Sequence, residues 1–171
     1  MDAAHIFIDF SVRKLALLRE RIESCLDRLN EEQVWARGGE NENAIGNIAL
    51  HLCGNVRQWI VSGVGGAPDT RHRDMEFAAR GGTSVSELKG LLRGVTDEAA
   101  AVLRQVPPER LTERVTIQKY DVTVMEAVYH VVEHFSMHTG QIMFATKMLT
   151  GADLGFYGHL RASALHGRKT P

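Results

Sequence analysis

The stretch TVMEAVYHVVEHFSMHTGQIMFATKMLT, residues 123–150, decides the fold and contains most of the candidate chemistry. Thr123 and Glu126 form a capping box, in which each side chain bonds a backbone amide at the start of a helix. Apolar residues then recur at three- and four-residue steps until Gly151. This pattern predicts one helix of about 27 residues and about 40 Å.

Three further segments carry helical periodicity, and nothing repeats internally. The first covers Ala4 to Leu29 and the second Asn43 to Ser62. The third opens with a capping box at Ser84 and ends before the prolines at 107 and 108. The β-branched run RVTIQKYDV that follows predicts an extended link. Four long helices with so little strand predict an all-α fold, a four-helix bundle. We expect residues 1–150 to form this one domain, and 151–171 a tail that packs on the bundle or frays from it.

Composition narrows the class of protein and its partners. The chain has 171 residues, of which 44% are hydrophobic, the size and character of one globular domain. Twenty basic residues against 21 acidic ones leave a net charge of −1, so we expect neither nucleic acid nor a membrane as a partner. Cys25 and Cys53 fall in apolar helical patterns, which predicts reduced core residues. With neither an export signal nor a membrane-spanning run visible, we predict a cytoplasmic protein.

Three histidines, His130, His134 and His138, lie four residues apart on the last helix. Such residues share one helix face at steps of about 6 Å, beside an apolar series that places them near the bundle interior. Neighbouring histidines at this spacing can bind one transition metal ion. The outer two are about 12 Å apart along the axis, so the helix can supply only two ligands. Helix geometry alone does not choose between the two neighbouring pairs.

The best third donor is His51, in NAIGNIALHLCGNVRQW, residues 43–59. Asn47, His51 and Asn55 recur every four residues and form a polar stripe beside apolar positions. Taken alone, His51 fits a hydrogen-bonded core histidine better than a ligand; the spaced pair on another helix makes the two interpretations about equal. Cys53 points about 200° around the helix from His51 and is a poor second ligand. The remaining histidines lack partners at ligand spacing and are expected at the surface: His5, His72, His159 and His166.

Two other metal sites, and one arrangement without metal, compete with this interpretation. HVVEH, residues 130–134, matches the inverted zincin signature with Glu133 as general base, but only Asp153 could supply the acidic ligand that such sites need downstream. A di-iron bundle requires Glu-x-x-His on two helices, and the sequence contains none. The third interpretation is a seam, meaning a row of histidines on the helix that are held by hydrogen bonds and bind no metal.

The motif NAIGNIALHLCGN followed by HVVEHFSMHTGQI resembles the DinB-like superfamily, bacterial four-helix bundles that include thiol-dependent transferases and isomerases. The resemblance covers nearly the whole chain. It implies one divalent ion held by His51, His134 and His138, because HFSMHTGQI matches the family's His-x-x-x-His-x-Gly-Gln ending. His130 then stands outside the ligand set, as a neighbouring or pocket residue.

Three neutral imidazoles leave coordination positions open, as in catalytic zinc sites. The relatives imply that the metal activates a low-molecular-weight thiol. We therefore predict a metal-dependent enzyme of the thiol S-transferase or hydrolase type, acting on a small molecule. Zinc or nickel is the expected ion, and Asn47, Asn55 and Gln141 are expected to orient ligands or substrate. No general base stands out. The alternative is a metal-stabilised stress-response or binding protein without turnover. On either interpretation the resemblance implies a homodimer.

Overall fold

The computed structural model describes residues 2–158, and these residues form an all-α fold with one small hairpin. Four long helices dominate, with two short helices, one 3-10 turn and two strands between them. In chain order the elements are α1 (Ala3–Leu26), α2 (Glu31–Trp35), α3 (Ile45–Val56, continued as a π-helix over Arg57–Val64), α4 (Arg73–Ala78), α5 (Val85–Arg104), the 3-10 turn (Pro108–Thr112), β1 (Arg114–Ile117), β2 (Tyr120–Thr123) and α6 (Val124–Thr150).

The long helices α1, α3, α5 and α6 form the predicted four-helix bundle. α1 packs against α5 and α6, and α3 packs against the same two helices, so each helix has two neighbours around a common core. The apolar stripes found in the sequence face that core, because burying them provides most of the driving force for folding. The largest side chains with no exposed surface come from all four helices: Ile22, Leu26, Leu52, Ile60, Leu88, Leu92, Leu103, Phe135 and Ile142.

Both predicted capping boxes are present. Ser84 accepts from the amide of Glu87, and Thr123 accepts from the amide of Glu126, while each glutamate bonds back to the cap residue. At the other end of α6, Gly151 adopts φ 65°, the left-handed conformation that ends a helix without a steric penalty. Residues at its own two ends therefore determine where α6 begins and ends, and hence where its histidines lie along the helix.

The expected extended link is an antiparallel hairpin. β1 and β2 pair from Arg114 with Thr123 to Ile117 with Tyr120. Gln118 and Lys119 make the two-residue turn with φ 51° and 71°, which such turns require at both positions. Asn and Gly usually fill these positions, so the sequence contained no turn signal. The short helices α2 and α4 were missed as well, because five or six residues are too few to show a period.

The described residues after Gly151 contact α1 and the segment that directly follows it. Leu154 is buried, and Arg28 donates to the carbonyl oxygens of Asp153 and Leu154. The guanidinium of Arg21 lies 5.4 Å from the ring centres of Phe156 and Tyr157. The proposed division at residue 150 stays a prediction, and the last part of the tail, with His159 and His166, lies outside the described residues. The homodimer likewise stays a prediction. Within residues 2–158 we find no helix with the length and apolar character needed to span a membrane.

The hairpin packs against the π-helical continuation of α3. Ile117 is buried over Gly63, where a Cβ atom added to the glycine would overlap the isoleucine side chain. The side-chain amide of Gln118, in the hairpin turn, also donates to Gln58, which lies in the same π-helical segment as Gly63. Close approach at Gly63 therefore holds the hairpin beside the helix that contains His51.

We expect Gly63→Ala to lower the free energy of unfolding by about 1–3 kcal/mol, because the added methyl group must displace Ile117. Gly94→Ala is the matched control: it lies inside α5, and no atom lies within 4 Å of the position that its added methyl group would occupy. There alanine should raise stability by about 0.5–1 kcal/mol. Urea denaturation of both variants measures the difference, and equal effects of the two substitutions would contradict this packing.

Candidate metal centre

Three imidazole rings from two helices meet between α3 and α6. His51 lies on α3, and His134 and His138 lie one turn apart on α6. The Nε2 atom of His134 is 3.1 Å from Nε2 of His51 and 3.2 Å from Nε2 of His138. All three candidate ligand atoms lie within 4.8 Å of one another. The structure thus brings together the three residues predicted from the sequence; that they bind a metal stays a prediction.

Oxygen atoms hold the outer nitrogens of two of these rings. Nδ1 of His51 lies 2.9 Å from Oε2 of Glu76, on α4. Nδ1 of His138 lies 2.7 Å from Oε1 of Gln141, one turn further along α6. A carboxylate or amide oxygen can only accept, so each Nδ1 is the protonated nitrogen and donates. In the neutral form of each ring, Nε2 is then the unprotonated nitrogen, and it faces His134.

Arg71 holds the carboxylate of Glu76 in place. Its Nε and Nη2 atoms donate to the two carboxylate oxygens at 2.7 and 2.8 Å, and Nη1 donates to Gln58. Burial alone would raise the pKa of Glu76, but the hydrogen bonds from Arg71 and His51 outweigh it and leave the pKa below its usual range. Nη2 of Arg71 also approaches Nδ1 of His51 at 3.1 Å. Since both groups share the same carboxylate oxygen, we assign that contact as a close approach of two donors.

A hydrogen-bonded seam without metal accounts for only part of this geometry when the rings are neutral. With Nε2 unprotonated on His51 and His138, a single proton on Nε2 of His134 could satisfy one of the two short contacts, and the other would join two lone pairs. A cation attracts all three lone pairs at once. Nitrogen ligands about 2 Å from a tetrahedral zinc ion lie about 3.3 Å from each other, close to the two short separations observed here.

The protonation states of the α6 histidines also fit a cation. Burial, followed by the neighbouring rings of His138 and His51, lowers the pKa of His134 to about 3. Burial likewise lowers the pKa of His138, although its bond to Gln141 opposes the shift. Both imidazoles are therefore neutral near pH 7, the form in which histidine binds metals. Nδ1 of His134 is buried and has no hydrogen-bond partner among the described residues.

A cavity of about 430 Å³ opens beside the three rings, within the range of small-molecule sites. His51 and His134 form part of its wall, and the hairpin supplies Tyr120 and Val122 on another side. His130 lies on this wall too, with its ring centre 4.1 Å from that of Trp59 and 5.5 Å from that of His134. It is a pocket residue outside the three-ring cluster.

Several secondary expectations are resolved by the structure. Glu133 is exposed and does not belong to the cluster, so the described residues do not form the inverted zincin arrangement. His5 and His72 are exposed as expected. Gln141 bonds Nδ1 of His138, one of the three clustered rings; that it orients a metal ligand stays a prediction.

Asn47 does not orient a ligand or line the cavity, contrary to expectation. Its amide donates to the carbonyl oxygens of Glu76 and Ala79, and its oxygen accepts from Arg37. Asn47 instead fastens α4 onto α3. Asn55 does line the cavity, and its Oδ1 is buried without a partner in the described part of the chain.

The sequence pattern did not identify Glu76 and Arg71, the residues of α4 and of the preceding segment that contact the histidine cluster. Glu76 and Arg71 lie in RHRDMEF, residues 71–77, a short segment without a usable period. The only sequence signal was a glutamate followed directly by Phe77, which is too common to identify a buried ion pair.

Comparison with known proteins supports the fold and the family. A family model described as "Protein of unknown function (DUF1572)" matches residues 2–157. No curated protein matches the chain in sequence.

Solved structures show the same fold at low sequence identity. A conserved protein from Enterococcus faecalis superposes with a TM-score of 0.70 and 16% identity, over 89% of this chain and 99% of its own. A DinB-like protein from Bacillus subtilis gives 0.65 and 15%, over 86% and 96%. A mutant of the mycothiol-dependent maleylpyruvate isomerase gives 0.57 and 12%, over 83% of this chain and 63% of that protein. The resemblance to DinB-like proteins is confirmed as a likeness of fold.

We expect Glu76→Gln to weaken binding of a divalent ion about 10- to 100-fold, because the neutral amide is a poorer acceptor for Nδ1 of His51 and leaves Arg71 uncompensated. Competition with a zinc chelator measures the change. Glu98→Gln is the control, since Glu98 pairs with Arg57 at the surface and does not line the cavity. Unaltered affinity in a folded Glu76→Gln variant would show that the carboxylate does not orient a ligand.

Proposed function

The chain belongs to the DUF1572 family and has the fold of DinB-like proteins, and from this premise we propose that it is a metal-dependent enzyme that activates a low-molecular-weight thiol for transfer. One observation carries the proposal: three Nε2 atoms converge beside an open cavity that His51 and His134 line, and two of the rings have their outer nitrogens fixed by oxygen acceptors. A structural zinc site is normally closed by four protein ligands, whereas three histidines are typical of a catalytic one.

His51, His134 and His138 would hold one divalent ion, with zinc or nickel the expected metals. When bound, such an ion acts as a Lewis acid and lowers the pKa of a thiol or water ligand. The chain's own residues keep the site ready for it. Glu76 and Gln141 fix the ring orientations, so no rearrangement of His51 or His138 is needed.

The cavity supports binding of a small molecule next to the rings. Trp59 and Asn55 line it, are nearly fully buried, and each has a polar atom without a hydrogen-bond partner among the described residues, Nε1 and Oδ1. Buried polar groups are normally paired, so a ligand that pairs with them would gain affinity. The apolar walls formed by Trp59 and Val122 would keep bulk water away from the reacting group.

One fact favours a thiol over water as the activated group: a structural neighbour is named for its dependence on mycothiol, which is a low-molecular-weight thiol. Cys25 and Cys53 both lie within the described residues and neither lines the cavity, so a thiol at the site would have to come from solution. Hydrolysis uses the same ion with a water molecule and is the second reaction to test.

Protein purified without chelators should contain one equivalent of a transition metal, and His51→Ala should contain far less, because two histidines from one helix hold an ion weakly. Elemental analysis measures both. His130→Ala is the matched control, a histidine on the same cavity wall outside the cluster, and should keep its metal. Equal metal content in wild type and His51→Ala would refute the three-histidine site.

Metal-loaded protein should accelerate the reaction of cysteine with monochlorobimane, followed by fluorescence, and His134→Ala should lose at least 100-fold of that acceleration while staying folded. The loss is expected because activation of the thiol depends on the bound ion. Undiminished turnover in His134→Ala would exclude the proposed role. A strong fall in thermal stability on metal removal, with no turnover under any condition, would instead favour the metal-stabilised binding protein.

A further inference from the structure

The cavity beside the three histidines contains one arginine whose charge is not balanced. Its charged lining residues are Arg71, Arg73 and Glu126. Arg71 is neutralised by its ion pair with Glu76. Glu126 is bound to the amide and hydroxyl of Thr123, at the positive end of α6. Within residues 2–158, no carboxylate lies within ion-pair distance of Arg73, which leaves its positive charge available to a ligand.

Aromatic contacts hold Arg73 close to the rings. Its guanidinium carbon lies 4.8 Å from the ring centre of Phe77, on the next turn of α4. The ring of Phe77 in turn lies 4.7 Å from that of His51. A guanidinium stacked on an aromatic ring keeps its N–H groups free at the edge for bidentate bonds to a carboxylate. Phe77 therefore links Arg73 to His51, and the donors of the exposed Arg73 are unused among the described residues.

The other walls of the cavity indicate the shape and polarity of the rest of a ligand. The ring centres of Trp59 and Tyr120 are 6.3 Å apart, and Val122 of the hairpin lies on the same wall. This wall suits a short apolar or unsaturated body. Three neutral imidazoles would not compensate the charge of a divalent ion, so a bound ion would further favour an anionic ligand.

We propose that the cavity selects small molecules that carry a carboxylate, and that Arg73 is the specificity-determining residue that binds it. The inference rests on the proposed function in that it assigns the substrate class of the same cavity. The substrate has a metal-binding group at the three histidines, a short apolar body against Trp59 and Tyr120, and a carboxylate at Arg73.

Calorimetry on zinc-loaded protein tests the proposal with β-mercaptopropionate and its amide, which share the thiol and the chain length but differ in charge. Wild type should prefer the carboxylate roughly fivefold, the ratio expected for a partly exposed ion pair. Arg73→Gln should abolish that preference, bind the amide as wild type does, and retain its zinc. Arg13→Gln, which removes an exposed arginine of α1, should retain the preference.

A second measurement on metal-free protein separates this inference from the proposed function. Titration with succinate should shift the Nε–H nuclear magnetic resonance signal of Arg73, identified by its loss in Arg73→Gln, and succinamide should leave it in place. A shift in protein that takes up no zinc would support the carboxylate site and refute only the metal-dependent reaction. An unmoved Arg73 signal, or a carboxylate preference that persists in Arg73→Gln, would overturn the inference.

Discussion

Orientation of two imidazole rings by oxygen acceptors is the constraint on which the candidate site depends. Because Glu76 and Gln141 accept from the outer nitrogens of His51 and His138, the inner nitrogens keep their lone pairs and face a common point. Without those acceptors either ring could take the other tautomer, and the short contacts with His134 would become ordinary hydrogen bonds between histidines. The two acceptors are thus the feature that favours a cation site over a polar seam between helices.

Burying Glu76 with Arg71 is difficult to explain as a contribution to stability. The desolvation of a buried ion pair commonly offsets its Coulombic attraction, and well-packed apolar side chains often stabilise a fold equally well. The ion pair is better explained by its position, because its carboxylate orients the ring of His51. Asn47 fastens the backbone of α4 to α3, α4 delivers the glutamate, and Arg71 prevents its carboxylate from rotating away from His51. A short helix with little packing of its own is therefore attached at several points.

The sequence predicted the fold well because helices of this length carry their own signals. The capping residues Ser84 and Thr123 and the stop at Gly151 lie where the pattern placed them, and the fixed four-residue spacing put His134 and His138 on one face. That His51 meets these two residues could be predicted only from the family resemblance. Helix periodicity does not show which turn of one helix lies opposite which turn of another. Glu76 and Arg71 could not be found. Their role arises from tertiary contacts of a six-residue helix, and neither periodicity nor charge distinguishes such residues from a solvated loop.

The packing around the rings bears on whether an ion there would serve structure or chemistry. α3 and α6 are already joined by fully buried apolar side chains, among them Leu52 and Phe135 immediately beside His51 and His134. A bundle with such a core does not need a metal ion to hold these helices together, unlike small domains that lack one. An ion used only as a brace would also be enclosed by protein ligands, whereas His51 and His134 of this cluster line a cavity that also contains a charge-unbalanced arginine. The cost of burying three imidazoles in this arrangement therefore agrees with the proposed reaction at the cavity.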